Sequence, residues 1–199
     1  MKVQCIALAL MLCTGVMAQE NHTNELPYEE IPAAPESYIA GNILTRLIDG
    51  LGYRYYWATE GLTESDLLYA PSKEARTSRQ TLEHLYGLSE TIVNATTNTA
   101  NIRPQDWSTL TFEQLRRQTL LHLQEASKNC AGRSEEEIAN FKVKFDSKGR
   151  QSEFPYWNMI NGPIADALYH VGQIVSFRRS SGNPIHPGVS VFTGKTRQK

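Results

Sequence analysis

Cysteine is scarce in this chain of 199 residues, which contains three. Cys5 and Cys13 lie near the amino terminus, and Cys130 is left alone in the remainder. A single cysteine cannot form an intramolecular disulfide, so the fold is expected to be held by packing once the amino-terminal segment is removed. Neither immediate neighbour of Cys130 is a histidine or a lysine, and we interpret it as a partly buried small residue rather than a nucleophile.

The chain also lacks an excess of either charge. Its 20 basic and 21 acidic residues are interspersed, and the formal net charge is -1. No basic stripe favours a nucleic-acid partner, so DNA binding is not expected. After the first 18 residues no apolar run is long enough to cross a membrane. The length and the hydrophobic fraction of 40% suit one domain with a substantial core.

The one long apolar run lies at the amino terminus. A basic second residue precedes apolar residues over 3–17, and Ala18 follows as a small residue. This pattern predicts a secretory signal peptide, residues 1–18, cleaved after Ala18, and therefore an exported protein. Lipoprotein processing at Cys13 is the alternative, and it is disfavoured because Leu12 stands where a small residue is normally needed.

Helical periodicity dominates the rest of the chain. Residues 19–36 are acidic and punctuated by proline, which predicts a flexible lead-in. Four later segments have apolar residues at helical spacing together with their own start or stop signals. These segments are residues 38–59, 77–96, 111–131 and 157–179. Thr77 and Thr111 open the second and third with capping boxes, and Pro163 predicts a kink or a late start in the last.

A short stretch before the last helix has a different pattern. Residues 141–145 alternate apolar and basic side chains, and a turn then precedes residues 151–156, which predicts a small β-hairpin. Four long helices can bury their apolar stripes only against one another, so an all-α four-helix bundle is expected over residues 37–184. The tail, residues 185–199, is expected to be irregular.

Three polar side chains interrupt the apolar surface of the last helix. Asp166, His170 and Gln173 are spaced i, i+4 and i+7 and therefore share a face. A carboxylate and an imidazole in such a helix have to be paired, hydrogen-bonded or bound to a metal. Two ligands of one ion commonly sit one turn apart on a helix. For this pair alone, a His–Asp hydrogen bond that orients a core histidine is the favoured alternative.

His84 in the second long helix supplies a third candidate ligand. It lies off the centre of its own apolar stripe, and Asp166 and His170 are displaced from theirs in the same sense. The three side chains are therefore predicted to face one off-axis pocket and to hold a metal ion.

Motifs in three stretches resemble the DinB-like superfamily. The stretches are GLTESDLLYAP, RTSRQTLEHLYGLSE and PYWNMINGPIADALYHVGQIVSFRRSSGNP. The resemblance extends over about residues 38–184 and implies an up-down-down-up four-helix bundle with a divalent metal, often nickel or zinc, held by three histidines. His84 matches one of these histidines and His170 another, within the His-x-Gly-Gln element. The remaining family histidine falls on Asp166. The resemblance also points to bacteria, and hence to the periplasm as the destination of an exported chain.

Two functions are compatible with these features. The first is a divalent-metal-dependent transferase or hydrolase of unknown substrate, with zinc or nickel bound by His84, Asp166 and His170. The residues expected to support the ligands or to contact the substrate are Gln173, Asn158 and Asn161. The alternative is a non-catalytic extracytoplasmic bundle that binds a small ligand or a protein and no metal. Such bundles often pair through exposed helix faces, so a homodimer is compatible with either function.

Overall fold

The computed structural model of the protein describes residues 25–197. The predicted signal peptide, with Cys13 and Ala18, and the first part of the predicted lead-in lie outside these residues. Within the part that is described, no helix combines the length and the apolar character needed to cross a membrane.

Helices account for most of the described chain. They are α1 Ala40–Thr59, α2 Glu64–Leu68, α3 Ser78–Thr96, α4 Phe112–Cys130, α5 Glu135–Ala139, α6 Trp157–Met159 and α7 Ala165–Ser181, with a π-helical segment, Ile160–Ile164, between α6 and α7. The strands are β1 Ala100–Arg103, β2 Lys142–Ser147, β3 Arg150–Pro155, β4 Val189–Ser190 and β5 Lys195–Thr196. Four helices are long, and they correspond to the four helical segments predicted from the sequence.

Capping boxes begin four of the helices. In each, the cap side chain accepts the backbone N–H three residues on, and the side chain at that position accepts the N–H of the cap. The caps are Thr63, Thr77, Thr111 and Ser134. The starts predicted for α3 and α4 are thus confirmed. Helix α5 was not predicted because its five residues are too few to show an apolar period.

The long helices pack in pairs around one core. Helix α1 contacts α4 and α7, and α3 contacts the same two helices. Side chains from all four are fully buried between them, among them Ile48, Leu82, Leu120 and Ile174. Burying such side chains is the main favourable term in folding, about 1.5–3 kcal/mol for each. This packing brings α3 against α7, the two helices that contain the candidate ligands.

A three-stranded sheet lies beside the helices. Strands β2 and β3 form the predicted hairpin, with Ser147 opposite Arg150 at its turn. Strand β1 pairs with β2 in parallel, which the sequence did not predict. Asn101 on β1 is 1% exposed and donates a hydrogen bond to the Lys144 carbonyl, so a buried amide adds to the backbone pairing that holds this short strand. Strands β1 and β2 both contact α3.

The segments that flank the helical core pack onto α1. In the predicted lead-in, the Tyr28 ring lies against Gly52, where any Cβ would overlap it, and its hydroxyl donates to Asp49 at 3.0 Å. In the tail, predicted to be irregular, β4 and β5 form a short antiparallel pair, and Thr196 is hydrogen-bonded to the Tyr53 hydroxyl at 2.9 Å. Residues 25–36 and the tail therefore extend the core beyond the predicted bundle.

The break predicted at Gly162 and Pro163 is present. Gly162 has a non-helical backbone (φ -98°, ψ -105°), and Pro163 lies within the π-helical segment. Proline lacks the N–H that an α-helix needs, so the regular ladder resumes only at α7. Asp166 is consequently placed in the first turn of α7, and His170 one turn later.

Arg178 and Asp66 hold the carboxyl-terminal end of α7 in place through hydrogen bonds. Arg178 is 3% exposed and donates to the carbonyls of Glu60 and Asn183, which joins α7 to the end of α1. Asp66 accepts hydrogen bonds from Ser181 at 2.6 Å and Asn183 at 2.7 Å. Burial by itself raises the pKa of Asp66, but these hydrogen bonds outweigh it and hold the pKa well below its usual range. The position of α7 relative to α1 and α2 is therefore set by buried polar contacts as well as by packing.

Candidate metal centre

The three candidate ligands meet where α3 packs against α7. His84 Nε2 lies 3.1 Å from one oxygen of Asp166, and His170 Nε2 lies 3.3 Å from the other. One nitrogen or oxygen of each residue lies within 4.8 Å of the other two. In residues 25–197 this is the one cluster of three metal-ligating side chains with atoms this close. The structure thus brings together the side chains that the sequence analysis selected.

The two imidazole rings share the carboxylate between them. Their centroids are 4.6 Å apart and their planes are at 89°, so the edge of one faces the other. Each ring directs Nε2 to a different oxygen of Asp166. A carboxylate in this position can join two imidazoles directly or share an ion with them.

Burial differs across the site. The His170 side chain is 11% exposed, whereas His84 is 33% and Asp166 is 43% exposed. The cluster is therefore closed on the side of His170 and open to solvent on the side of Asp166. A catalytic metal site requires such an open side for a water or a substrate, whereas a structural site surrounds its ion with protein ligands.

Gln173 fixes the orientation of His170. Its Oε1 lies 2.6 Å from His170 Nδ1. With the amide oriented this way, Nδ1 carries the proton and donates, and Nε2 presents a lone pair. That lone pair faces an oxygen of Asp166 that is also an acceptor, so the contact is favourable only with a further proton or a cation between them. Gln173 thus contacts a candidate ligand, and its role as a supporting residue stays a prediction.

The environment of His84 favours its neutral form. Burial lowers the pKa of His84 below its usual value of 6.5, and the nearby His170 and Arg76 act in the same direction. The hydrogen bond with Asp166 opposes this shift. Neutral imidazole is the form that binds metals. Two neutral imidazoles and one carboxylate are a donor set that suits zinc, nickel and iron, so the residues present fit a divalent cation.

Other residues selected from the sequence lie apart from this cluster. Asn158 and Asn161 are exposed, and in the described chain neither hydrogen-bonds to His84, Asp166 or His170. Their assignment as supporting or substrate groups stays a prediction.

Cys130 is buried more completely than the sequence indicated. Cys130 is fully buried, and burial raises the pKa of its thiol to about 11. The thiol stays protonated at neutral pH, which argues against a role as nucleophile.

A cavity of about 410 Å³ adjoins His84, and no pattern in the sequence predicted it. It is lined by His84, Gly87, Leu88, Thr91, Arg103, Pro104, Gln105, Trp107, Phe145 and Pro163. Two other cavities, of about 390 and 490 Å³, contain none of the three candidate ligands. The lining residues come from α3, β1, the following loop, β2 and the π-helical segment. No single stretch of sequence contains them, so no local motif indicates the cavity. A tryptophan within the polar loop 104–109 was the one local signal.

Fold and site together define a mostly helical protein with a candidate His–Asp–His metal centre between two of its long helices. The crystal structure of a DinB-like protein from Bacillus subtilis, YjoA, is similar to this chain, with a TM-score of 0.50 and 14% sequence identity. The match covers 75% of this chain and 98% of that one, and at this identity it shows the fold alone. The DinB-like fold predicted from the motifs is thus confirmed. No protein-family model matches the sequence, and no match was found among curated proteins.

Proposed function

We propose that the protein is a divalent-metal-dependent enzyme, a transferase or a hydrolase, whose ion is held by His84, Asp166 and His170. One observation carries this proposal: atoms of these three side chains lie within 4.8 Å of one another, although His84 and Asp166 are 82 residues apart in sequence. The hydrogen bond from His170 Nδ1 to Gln173 supports it, because it leaves Nε2 free to act as a ligand.

The parts of the site have different roles in this proposal. His84 and His170 supply neutral nitrogen ligands, Asp166 supplies the charge that balances part of the cation, and Gln173 orients one ring. Zinc or nickel is the ion that we propose. The chemistry that such an ion supplies is activation of a water or a thiol as a nucleophile at neutral pH. The exposed side of Asp166 leaves room for a substrate to approach.

Topology and location are part of the same proposal. We propose that the four long helices follow an up-down-down-up order, which the contacts of α1 and α3 with both α4 and α7 support. We also propose that the protein is exported to the bacterial periplasm, which the apolar run over residues 3–17 supports.

A second function is favoured by one specific contact. His84 and Asp166 form a direct hydrogen bond at 3.1 Å, so these two groups satisfy each other without an ion. In that case the protein is a non-catalytic helical bundle that binds a small ligand or a protein partner, and the cluster is an internal polar scaffold.

Elemental analysis separates the two functions. The protein is purified without chelators and without a metal-affinity tag, and its metal content is measured before and after dialysis against zinc or nickel. We expect close to one ion per chain, and we expect the double variant His84→Ala, His170→Ala to retain none. His122→Ala is the matched control, because this half-buried histidine bonds to Ser89 outside the cluster. Absence of metal from the unmodified protein after dialysis, or metal retained by the double variant, contradicts the proposed site.

An activity screen follows if the ion is present. Thiol transfer is assayed against ester and amide hydrolysis, with the metal-free protein and the double variant as blanks. Turnover that depends on the ion supports the enzyme, and stoichiometric metal without turnover in any of the three reactions keeps the metal site but contradicts these three activities.

A further inference from the structure

We propose that the cavity beside His84 is a binding pocket for a small organic anion, and that Arg103 is the residue that recognises its carboxylate or phosphate group. As a statement about the substrate, this inference rests on the proposed function. The binding of the anion rests on Arg103 and the cavity alone.

Aromatic rings hold the Arg103 guanidinium at the cavity wall. Its central carbon lies 5.6 Å from the centroid of the Trp107 ring and 5.9 Å from that of Phe145. A guanidinium is weakly hydrated, and aromatic faces stabilise it without using its N–H donors. Gly87 lets Trp107 approach α3, because a Cβ at this position would overlap the indole ring. This wall of the cavity therefore depends on a glycine in the middle of a long helix.

Some donors of Arg103 remain for a ligand. Nη1 donates to Glu90 at 3.3 Å and to the Ile102 carbonyl at 2.9 Å, and Nη2 donates to Thr91 at 3.0 Å. A guanidinium has five N–H donors. Across residues 25–197, the Nε–H and one Nη2 hydrogen have no protein acceptor. Two such donors on a planar group match the two oxygens of a carboxylate or a phosphate.

The charges around the cavity favour an anion. Arg103 is the one charged residue among those that line it, and its side chain is 24% exposed. Glu90 forms an ion pair with Arg103 and compensates part of this charge, but Glu90 does not line the cavity. A carboxylate on the ligand would therefore meet a fixed cation within a cavity whose walls are otherwise neutral.

Size and lining suggest how the ligand is oriented. A volume of about 410 Å³ accommodates a small organic molecule. Leu88, Trp107 and Pro163 offer apolar contacts to its carbon skeleton. Because His84 lines the same cavity, an anion held by Arg103 would place another part of the molecule beside the candidate metal centre.

The test uses small aromatic probes and chelator-treated, metal-free protein. Benzoate, phenyl phosphate and the neutral benzyl alcohol are titrated while the Arg103 Nε–H and Trp107 indole N–H signals are followed by NMR. We expect saturable shifts with benzoate or phenyl phosphate and none with benzyl alcohol, and the stronger binder of the two identifies the oxyanion. Arg103→Gln should weaken binding at least tenfold. Arg103→Lys keeps the charge but not the planar guanidinium, so its affinity should lie between those of Arg103→Gln and the unmodified protein.

Arg116 offers a matched control for these variants. It pairs with Glu60 and lies 4.8 Å from the Tyr56 ring centroid, but it does not line the cavity. Arg116→Gln should therefore bind the probes as the unmodified protein does. Unchanged affinity in a folded Arg103→Gln, equal loss in Arg116→Gln, or equal binding of benzyl alcohol would overturn the inference. If Arg103→Gln does not fold, an Arg103→Lys variant with unchanged affinity overturns it too.

Adding zinc distinguishes this inference from the proposed function. If both are correct, zinc tightens the binding of the anionic probes, and the tightening is absent from the His84→Ala, His170→Ala variant. Probe binding that depends on Arg103 but ignores zinc keeps the anion pocket and contradicts its coupling to a bound ion. The zinc content of the same sample then decides whether the metal centre itself fails.

Discussion

Replacing Gln173 with leucine tests how the candidate metal centre is organised. The substitution removes the oxygen that lies 2.6 Å from His170 Nδ1 and leaves a side chain of similar size. Without this acceptor the imidazole can rotate or shift its proton to Nε2, and both changes remove a ligand. Loss of such a supporting hydrogen bond weakens metal binding by roughly 10- to 100-fold. At about 1.4 kcal/mol for each factor of ten, the loss is about 1.4–2.8 kcal/mol.

Competition between the protein and a fluorescent zinc chelator measures this effect. Gln173→Glu is the informative control, because a carboxylate still accepts the hydrogen bond from Nδ1 and should keep the affinity at or above that of the unmodified protein. The free energy of unfolding without metal should change by only about 1 kcal/mol, the net worth of one hydrogen bond. Equal zinc affinity of Gln173→Leu and the unmodified protein, or equal weakening by leucine and glutamate, would refute the reasoning.

The pH, two glycines and the amino terminus provide further tests. Metal affinity should fall as the pH drops through and below 6.5, because protonated imidazole does not bind metal. The metal-free protein should lose stability over the same range, because burial lowers the pKa of His84 in the folded protein and the unfolded chain therefore takes up the proton more readily. Dialysis equilibria measure the first effect at pH 5 to 8, and urea unfolding measures the second. Gly87→Ala should destabilise the protein by about 1–3 kcal/mol, because the added Cβ overlaps Trp107. Gly172→Ala should stabilise it by up to about 1 kcal/mol, because the space around that Cβ is open and alanine favours the helix. Similar melting temperatures for the two variants would contradict this contrast. Mass spectrometry of the exported chain should find an amino terminus directly after Ala18, and a lipid-modified cysteine would contradict that cleavage.

Local sequence signals were sufficient for the long helices. Thr77 and Thr111 predict the starts of α3 and α4 because a capping box involves residues only three apart in sequence. The break at Pro163 follows from the covalent structure of proline in the same way. Motif order then led to the DinB-like fold, which the comparison with YjoA bears out.

The candidate metal centre was predictable for a related reason. Asp166, His170 and Gln173 share a face because helix geometry fixes the spacing of side chains, and their polarity stands out in an apolar helix. His84 was harder, because its position relative to the other helix depends on how α3 packs against α7. The resemblance to a family with ligands on both helices supplied that information.

Contacts between distant segments escaped prediction. Tyr28 lies in a proline-rich stretch without periodicity, yet its ring is buried against Gly52. Strand β1 has four residues and is held by pairing with β2, some 40 residues away. Arg103, at the end of β1, meets Trp107 and Phe145 only because this pairing exists.

The amino-acid sequence by itself determined the helices, their caps and the identity of three polar side chains, since these depend on neighbours within one or two turns. Only the tertiary structure decided that His84 and Asp166 lie 3.1 Å apart, that Gln173 bonds to His170, and that a cavity opens beside them. The physical reason is that burial and packing act between segments far apart in the chain, and their balance appears only when the whole core is assembled.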